Sequence, residues 1–397
     1  MKICFISPEV PPYLSGGAGV ATLRFSKTLV KRGFQVTIIA RKLAGGNNYE
    51  TVSGVDVYQL PCTKIRFLML SHVIFFFRTL LLLWRLNRNT KERVDLYYSQ
   101  TLLSPGLITA FCRTLFNTPT IVHGRGIDIE KGFEGIKKFV SLWVLKNNDY
   151  VFMLSNIHRE KVQEIFHREK IDKDVFLLTN GVEVEFNKTK EECRKIVGFN
   201  QSDKESKTNI VYIGRLDPPK GLRYALEAVR GLKNVKLHII GEETSGKKTE
   251  TIWLQEYVAK HNLQEKVIFY GTLSKETANT YCKAADIFIH PLLIAAGMGN
   301  AFLEAMYFGT PVIGTNIGYF KEIIRSGESG LLVEPGNAKE LEKAIKKMQE
   351  DKEFRQKCSR QAKAYVDKHH SWEMIAQQFE DFLKEKGLEN RAAALKR

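Results

Sequence analysis

Twelve short β-rich runs separated by segments of helical spacing limit this chain's fold more than any other feature. Strands that alternate with helices pair in parallel, because each connection crosses back over the sheet as a helix, and such sheets are covered on both faces. The first series is KICFIS (2–7), QVTIIA (35–40), VDVYQL (55–60), DLYYSQ (95–100), TIVHG (120–124) and DYVFMLS (149–155). Between its first two members, ATLRFSKTLVKRG (21–33) has helical spacing and stops at Gly33, a natural C-terminal cap. The second series is TNIVYIG (208–214), VKLHIIG (235–241), KVIFYG (266–271), DIFIHP (286–291), TPVIG (310–314) and GLLVEP (330–335). The polar stretch 187–207 lacks a strand pattern and marks a candidate boundary. A length of 397 residues allows two units with separate cores. Two doubly wound units in tandem follow, with a substrate cleft expected between them beyond the carboxyl ends of the strands. From Glu353 the tail reads as helical, with apolar positions at Phe354, Ala362, Tyr365, Trp372, Ile375, Phe379 and Phe382.

The chain carries 60 Lys and Arg against 44 Asp and Glu, a net charge of +16, so its partners are expected to be acidic. Six cysteines, Cys4, Cys62, Cys112, Cys193, Cys282 and Cys358, form no Cys-x-x-Cys pair and stand apart from any His cluster. That pattern excludes zinc-finger and thioredoxin-like readings and fits a reducing cytosol. The opening MKICFISPEV is too short an apolar run for a signal peptide and reads as a first strand.

Residues 67–84 (FLMLSHVIFFFRTLLLLW) approach membrane-spanning length but are interrupted by Ser71, His72 and Arg78. Three readings stay open: a bilayer span, a helix or helix pair buried in the first domain, and a patch on anionic lipid met by Arg66, Arg78, Arg85, Arg88 and Lys91.

Three segments have the composition of an anion site. In PEVPPYLSGGAGVATL, Gly16, Gly17 and Gly19 lie between a strand and a helix, where bare amides and a helix N-terminus suit a phosphate. IVYIGRLDPPKG places Arg215 and Lys220 at a strand exit, one cation able to grip oxygens as a fork and the other a point charge. In HPLLIAAGMGNAFLEAMYFGTPVIG (290–314), Gly297, Met298, Gly299 and Asn300 start a helix and Glu304 lies one turn further along it. A carboxylate there accepts hydrogen bonds from vicinal hydroxyls, as on a ribose. Each segment alone also reads as an ordinary glycine turn or a pair of solvated cations.

Taken in order, these segments resemble a retaining glycosyltransferase of family 4. The resemblance spans nearly the whole length: PPYLSGGAGVATLRFSKTLVKRGFQVTII, IVHGRGIDI, TNGVE (179–183), YIGRLDPPKG, HIIGEE, VIFYGTLSKE, AGMGNAFLEAMYFGTPVIGT and HSWEMIAQQFEDFL. It implies an α/β chain of GT-B fold, two Rossmann-like doubly wound domains facing across a cleft. It further implies an acceptor-side domain over 1–190, joined by a C-terminal helix at about 372–397, and a donor domain over 191–371. By the same resemblance Gly16 and Gly17 approach the donor diphosphate and His123 sits near the transferring sugar. Arg215 and Lys220 stabilise the departing nucleotide, Glu304 binds the ribose, and backbone groups of Gly297, Met298, Gly299 and Asn300 contact sugar and phosphate. The co-substrate is a nucleotide-diphosphate sugar of UDP or GDP type, with no other cofactor. The acceptor is a glycan or lipid-linked glycan of the cell envelope. An anionic membrane surface met through 61–100 would make the chain cytoplasmic and peripheral.

The family pattern is Glu-x7-Glu, and eight residues before Glu304 stands Ala296. No acidic residue occurs between Asp286 and Glu304, so no shift in register restores the first glutamate. A chain that binds nucleotide sugar with impaired or no turnover is therefore the alternative reading. Catalysis is expected without a metal, since Arg215, Lys220 and helix-end amides offset the leaving charge. Asp172-Lys173-Asp174 reads as a solvated turn, and His72, His158 and His290 as structural or surface groups. The sequence shows neither the aromatic–basic interleaving of an RNA-binding sheet nor a dinucleotide fingerprint, which argues against nucleic-acid binding and hydride transfer.

Overall fold

A computed structural model describes residues 1–11, 17–42, 48–62, 68–89, 93–130, 132–182, 186–199, 207–243, 248–295 and 299–389. Gly16, Glu183, Ala296, Gly297 and Met298 lie outside the described residues. The chain divides into two compact units, one of Met1–Gly181 with Trp372–Arg397 and the other of Val182–Ser371.

In the first unit the elements run β1 (Lys2–Ile6), α1 (Gly17–Lys31), β2 (Gln35–Lys42), β3 (Tyr49–Val52), β4 (Val55–Pro61), α2 (Leu68–Arg88), β5 (Leu96–Ser99) and α3 (Ser104–Phe116). They continue through β6 (Thr120–Gly124), α4 (Ile127–Glu130), α5 (Ile136–Asn147), β7 (Tyr150–Met153), α6 (Asn156–Arg168) and β8 (Val175–Leu177). The eight strands lie in the order β3-β4-β2-β1-β5-β6-β7-β8, parallel throughout except for the edge hairpin β3–β4. β1, β5 and β6 are almost wholly buried, as strands covered on both faces must be. The order reverses between β1 and β5, the switch point where helices leave toward opposite faces and the strand ends open outward.

The second unit runs α7 (Lys190–Ile196), β9 (Thr208–Ile213), α8 (Leu222–Gly231), β10 (Val235–Ile240), α9 (Thr249–Lys260), β11 (Val267–Phe269), α10 (Lys275–Ala284) and β12 (Ile287–His290). α11 (Asn300–Tyr307), β13 (Val312–Thr315), α12 (Phe320–Ile323), β14 (Leu331–Val333), α13 (Ala338–Glu350) and α14 (Lys352–His369) complete it. Its six strands are all parallel, in the order β11-β10-β9-β12-β13-β14, with the reversal between β9 and β12.

The polar stretch 187–207 is not only a linker, because α7 lies within it, closed by a Thr189–Glu192 capping box and tied through Arg194 to Asp286 at 3.0 Å. β3, which is absent from the two strand series, is a short segment at one edge of the sheet, where little of the apolar alternation is needed, and β8, the strand after Asp172-Lys173-Asp174, forms the opposite edge. The helical tail is two helices: α14 ends at His369, and α15 (Trp372–Glu385) returns to the first unit. There Trp372 stacks on Phe25 of α1 at 6.0 Å, Phe379 is buried against Phe25, Tyr98 and Phe152, and Arg32 grips Glu380 at 2.5 Å.

α2 is one continuous helix, long and apolar enough over Leu70–Arg88 to cross a membrane by length and composition. Its inner face is built into the first unit, with Phe75, Leu83 and Leu86 buried among Cys4, Ile39, Tyr97 and Ile108. A spanning role would require pulling those side chains out of the core, which disfavours the first of its three readings. All six cysteines are unpaired.

Candidate functional site

In the second unit, chemistry gathers at the carboxyl ends of β9, β12 and β13, beside the switch point. β9 runs out through Gly214 into Arg215, whose half-exposed guanidinium pairs with Asp217 at 3.1 Å. Pro218–Lys220 make one 3-10 turn, and Gly221 then enters α8 with φ +71°. A Cβ on Gly221 would stand 1.8 Å from the Pro291 carbonyl oxygen, so the β9 exit and the β12 exit touch through bare backbone. The Leu293 amide donates to the Pro219 carbonyl at 2.9 Å and fixes the same contact. Gly221→Ala is therefore expected to cost about 2–5 kcal/mol, combining left-handed strain with overpacking. Denaturant melts of the full chain measure it, and an unchanged midpoint would show that the two exits are not held together this way.

Burial, and then the neighbouring Arg215, bring the Lys220 ammonium down to about 8. Lys220 in turn helps hold His290, at the end of β12, well below the usual imidazole range, although burial is the larger cause. His290 is fully enclosed, and among the described residues neither ring nitrogen has a hydrogen-bond partner. The Thr315 hydroxyl, at the end of β13, is buried and unpartnered as well. A buried donor or acceptor left unmade costs about 1–3 kcal/mol, so the His290 ring, close to Lys220, marks a place for a polar ligand. Sequence reading placed His290 among structural or surface histidines. It is buried, as a structural histidine would be, and the β12–β13 register sets it beside Gly314.

α11 starts directly after Gly299, which adopts φ +60° and would carry a Cβ only 3.5 Å from the His290 ring. The N-cap position is Gly299, which has no side chain to cap the helix. Of the four backbone positions implied here, Gly299 and Asn300 are described and stand at that helix start, while Gly297 and Met298 are not described.

Glu304 differs from its expectation. Its carboxylate is buried on α11 and Oε2 is held by the Lys275 ammonium at the start of α10. A pentose reaching Glu304 must share that carboxylate with Lys275. Sequence reading missed Lys275, because nothing in LSKE marks a partner 29 residues away.

The first unit has a similar strand-end cluster. Gly17 opens α1, and a Cβ on Gly19 would press on the Glu9 carbonyl at 2.9 Å, so the first turn of α1 packs closely on the backbone after β1. His123 ends β6 fully buried, with Nδ1 2.7 Å from the Tyr98 hydroxyl of β5. Burial, reinforced by Arg125, holds it well below the imidazole range, so the ring is neutral. Backbone hydrogen bonds to Leu178 and Met153 also act on the ring, and among the described residues both amide atoms of buried Gln100, at the end of β5, lack a hydrogen-bond partner. Arg125 reaches Asn180 at 2.6 Å, while Asp128 accepts from the Arg125 and Leu102 amides at 2.8 and 3.0 Å. Gln100, Arg125 and Asn180 are polar neighbours that the pattern of strands alone did not single out. Asp172 and Asp174 lie in the loop before β8, where Lys173 turns inward to the carbonyls of Leu145, Lys146 and Asn148.

The sequence matches the family described as Glycosyl transferases group 1 over residues 195–365, and the Glycosyl transferase 4-like domain over residues 16–172. An uncharacterized glycosyltransferase of Methanocaldococcus jannaschii is 26% identical over 399 residues, spanning 95% of this chain and 96% of that one. The lipopolysaccharide 1,2-N-acetylglucosaminetransferase of Salmonella typhimurium is 29% identical over 187 residues, 45% of this chain and 49% of that one. The crystal structure of HepE from Anabaena in complex with UDP-glucose superposes with a TM-score of 0.78 at 18% identity, covering 97% of this chain and 100% of the other.

Proposed function

The chain belongs to the group 1 glycosyltransferases of GT-B fold, and from that premise we propose that it moves a hexose from a nucleotide-diphosphate sugar to a glycan or lipid-linked acceptor with retention at the anomeric carbon. The observation that carries this reading is the meeting of Arg215 and Lys220 with His290 and, beside its ring, the start of α11, next to the switch point between β9 and β12. Two cations and a helix N-terminus form an anion site able to hold a diphosphate in its ground state and more tightly as its leaving oxygen gains charge. The UDP-glucose held by the Anabaena neighbour supports a nucleotide sugar as the donor, and the Salmonella lipopolysaccharide transferase supports a cell-envelope glycan as the acceptor.

The chemistry asks little else of the protein. As the C–O bond to the nucleotide breaks, Arg215 and Lys220 take up the charge on the β-phosphate. The acceptor hydroxyl attacks from the same face, and the departing phosphate receives its proton, which leaves the configuration unchanged. His123 is neutral and held between the Tyr98 hydroxyl, 2.7 Å from Nδ1, and the backbone of Leu178 and Met153, which fixes the ring where the transferring sugar would sit. The carboxylate of Glu304, with Lys275 on one oxygen, retains lone pairs for ribose hydroxyls. Arg215, Lys220 and α11 supply the charge compensation that this route needs, so we propose a metal-independent reaction.

A thermal-shift panel of UDP, GDP and their hexose conjugates tests the donor. One base series is expected to raise the melting temperature with rising concentration, following RT ln(1 + [L]/Kd), and to do so less strongly in Arg215→Ala. Equal silence from every nucleoside diphosphate would overturn the donor assignment.

A further inference from the structure

Among the described residues twelve large apolar side chains are exposed, and nine of them lie on three helices of the first unit: five on α2, two on α3 and two on α5. Leu70, Phe77 and Trp84 follow one another at helical spacing along the outer face of α2, opposite the side packed into the core. Phe111 of α3 joins them through Phe76 at 5.2 Å and meets Trp143 of α5 at 5.4 Å, so the three helices share one aromatic surface. Phe77 is 64% exposed and Phe139, on α5, is 72% exposed, well beyond the scattered apolar atoms of an ordinary surface.

The charge on the same helices has one sign. α2, α3 and α5 contain seven Lys and Arg and no Asp or Glu. Arg113 and Lys138 are paired with Asp149 and Glu169, at 2.6 and 3.4 Å. Arg78, Arg85, Arg88, Lys137 and Lys146 have no carboxylate partner among the described residues, and Arg88 lies over the Trp84 ring at 4.7 Å.

We propose that this three-helix face is a docking surface for an anionic lipid bilayer, with the aromatic side chains seated at the headgroup–acyl boundary and the unpaired cations among the headgroups. Aromatic rings favour that depth, and each cation near an anionic surface adds to the attraction. The two features together select the occupant. A second copy of the chain would bring five cations that lack a carboxylate partner against five, and a span by α2 would empty the core of Phe75, Leu83 and Leu86. The sequence-based patch was confined to 61–100; the structure adds Phe111, Phe139, Trp143, Lys137 and Lys146 from beyond it. This proposal does not depend on the sugar-transfer reading, and its test uses no donor.

Flotation of the full chain with vesicles of phosphatidylcholine mixed with phosphatidylglycerol, and with pure phosphatidylcholine, tests it. The protein is expected to float with the anionic vesicles and about tenfold less with neutral ones or in high salt. Phe77→Glu combined with Phe139→Glu should lower flotation about tenfold with an unchanged melting temperature, because both side chains already face solvent. Equal flotation on both lipids, or none on either, would overturn the proposal. So would a dimer in vesicle-free sedimentation that the double variant converts to a monomer, since that result assigns the face to a second copy.

Discussion

Lys220→Met is expected to lower turnover about 10²- to 10³-fold while leaving the fold as stable as before or more so. The first half follows from removing one of two cations aimed at a leaving phosphate, a loss of the size seen when one transition-state donor is deleted. The second half follows from the lowered ammonium: a fold that brings Lys220 from 10.5 to about 8 resists its charge, and methionine keeps the stem without it. A structural lysine would give the opposite pattern, with lower stability and turnover falling only in step. Single-turnover rates beside thermal melts separate the two.

The same shift fixes a pH dependence. In the folded chain Lys220 loses its proton near pH 8, whereas the unfolded chain keeps it to about 10.5. Between these values the unfolded state binds more protons, so this lysine makes the folded state relatively more stable as pH rises. Ligand affinity runs the other way. A bound diphosphate favours the ammonium, so affinity for a nucleoside diphosphate should fall by up to tenfold per pH unit above 8, with proton uptake on binding. Calorimetric titrations in buffers of different ionisation enthalpy read that uptake directly, and a flat affinity from pH 7.5 to 9.5 would remove Lys220 from the site.

Ala296→Glu is expected to raise turnover roughly 30- to 1,000-fold, the equivalent of about 2–4 kcal/mol of transition-state binding. The resemblance gives the first glutamate of Glu-x7-Glu the hydroxyls of the donor sugar, and alanine has no group to make those bonds. The gain should fall on kcat more than on KM, because the diphosphate site that holds the donor is already present in Arg215 and Lys220. If the natural chain is silent and the variant turns over, the loss resides at position 296 and a nucleotide-sugar-binding role becomes the native one. Equal rates in both would mean that backbone donors at the start of α11 do this work alone.

The strands at the centre of each sheet were legible because burial on both faces demands an unbroken apolar run, as in ICFI of β1 and IFI of β12. The glycine and cation motifs were legible too, since Gly221 and Gly299 stand where only a residue tolerant of positive φ fits. What the sequence determined by itself was local: periodicity, caps and turns act over a few residues and leave their record in neighbouring letters. The hold of Lys275 on Glu304, the unpartnered atoms of His290, Thr315 and Gln100, and the union of α2, α3 and α5 into one cationic apolar face were decided only by the tertiary structure. Those features join residues tens of positions apart. Whether a given histidine is satisfied, or a given phenylalanine covered, depends on which helix the crossover lays beside it, and periodicity within a segment is blind to that.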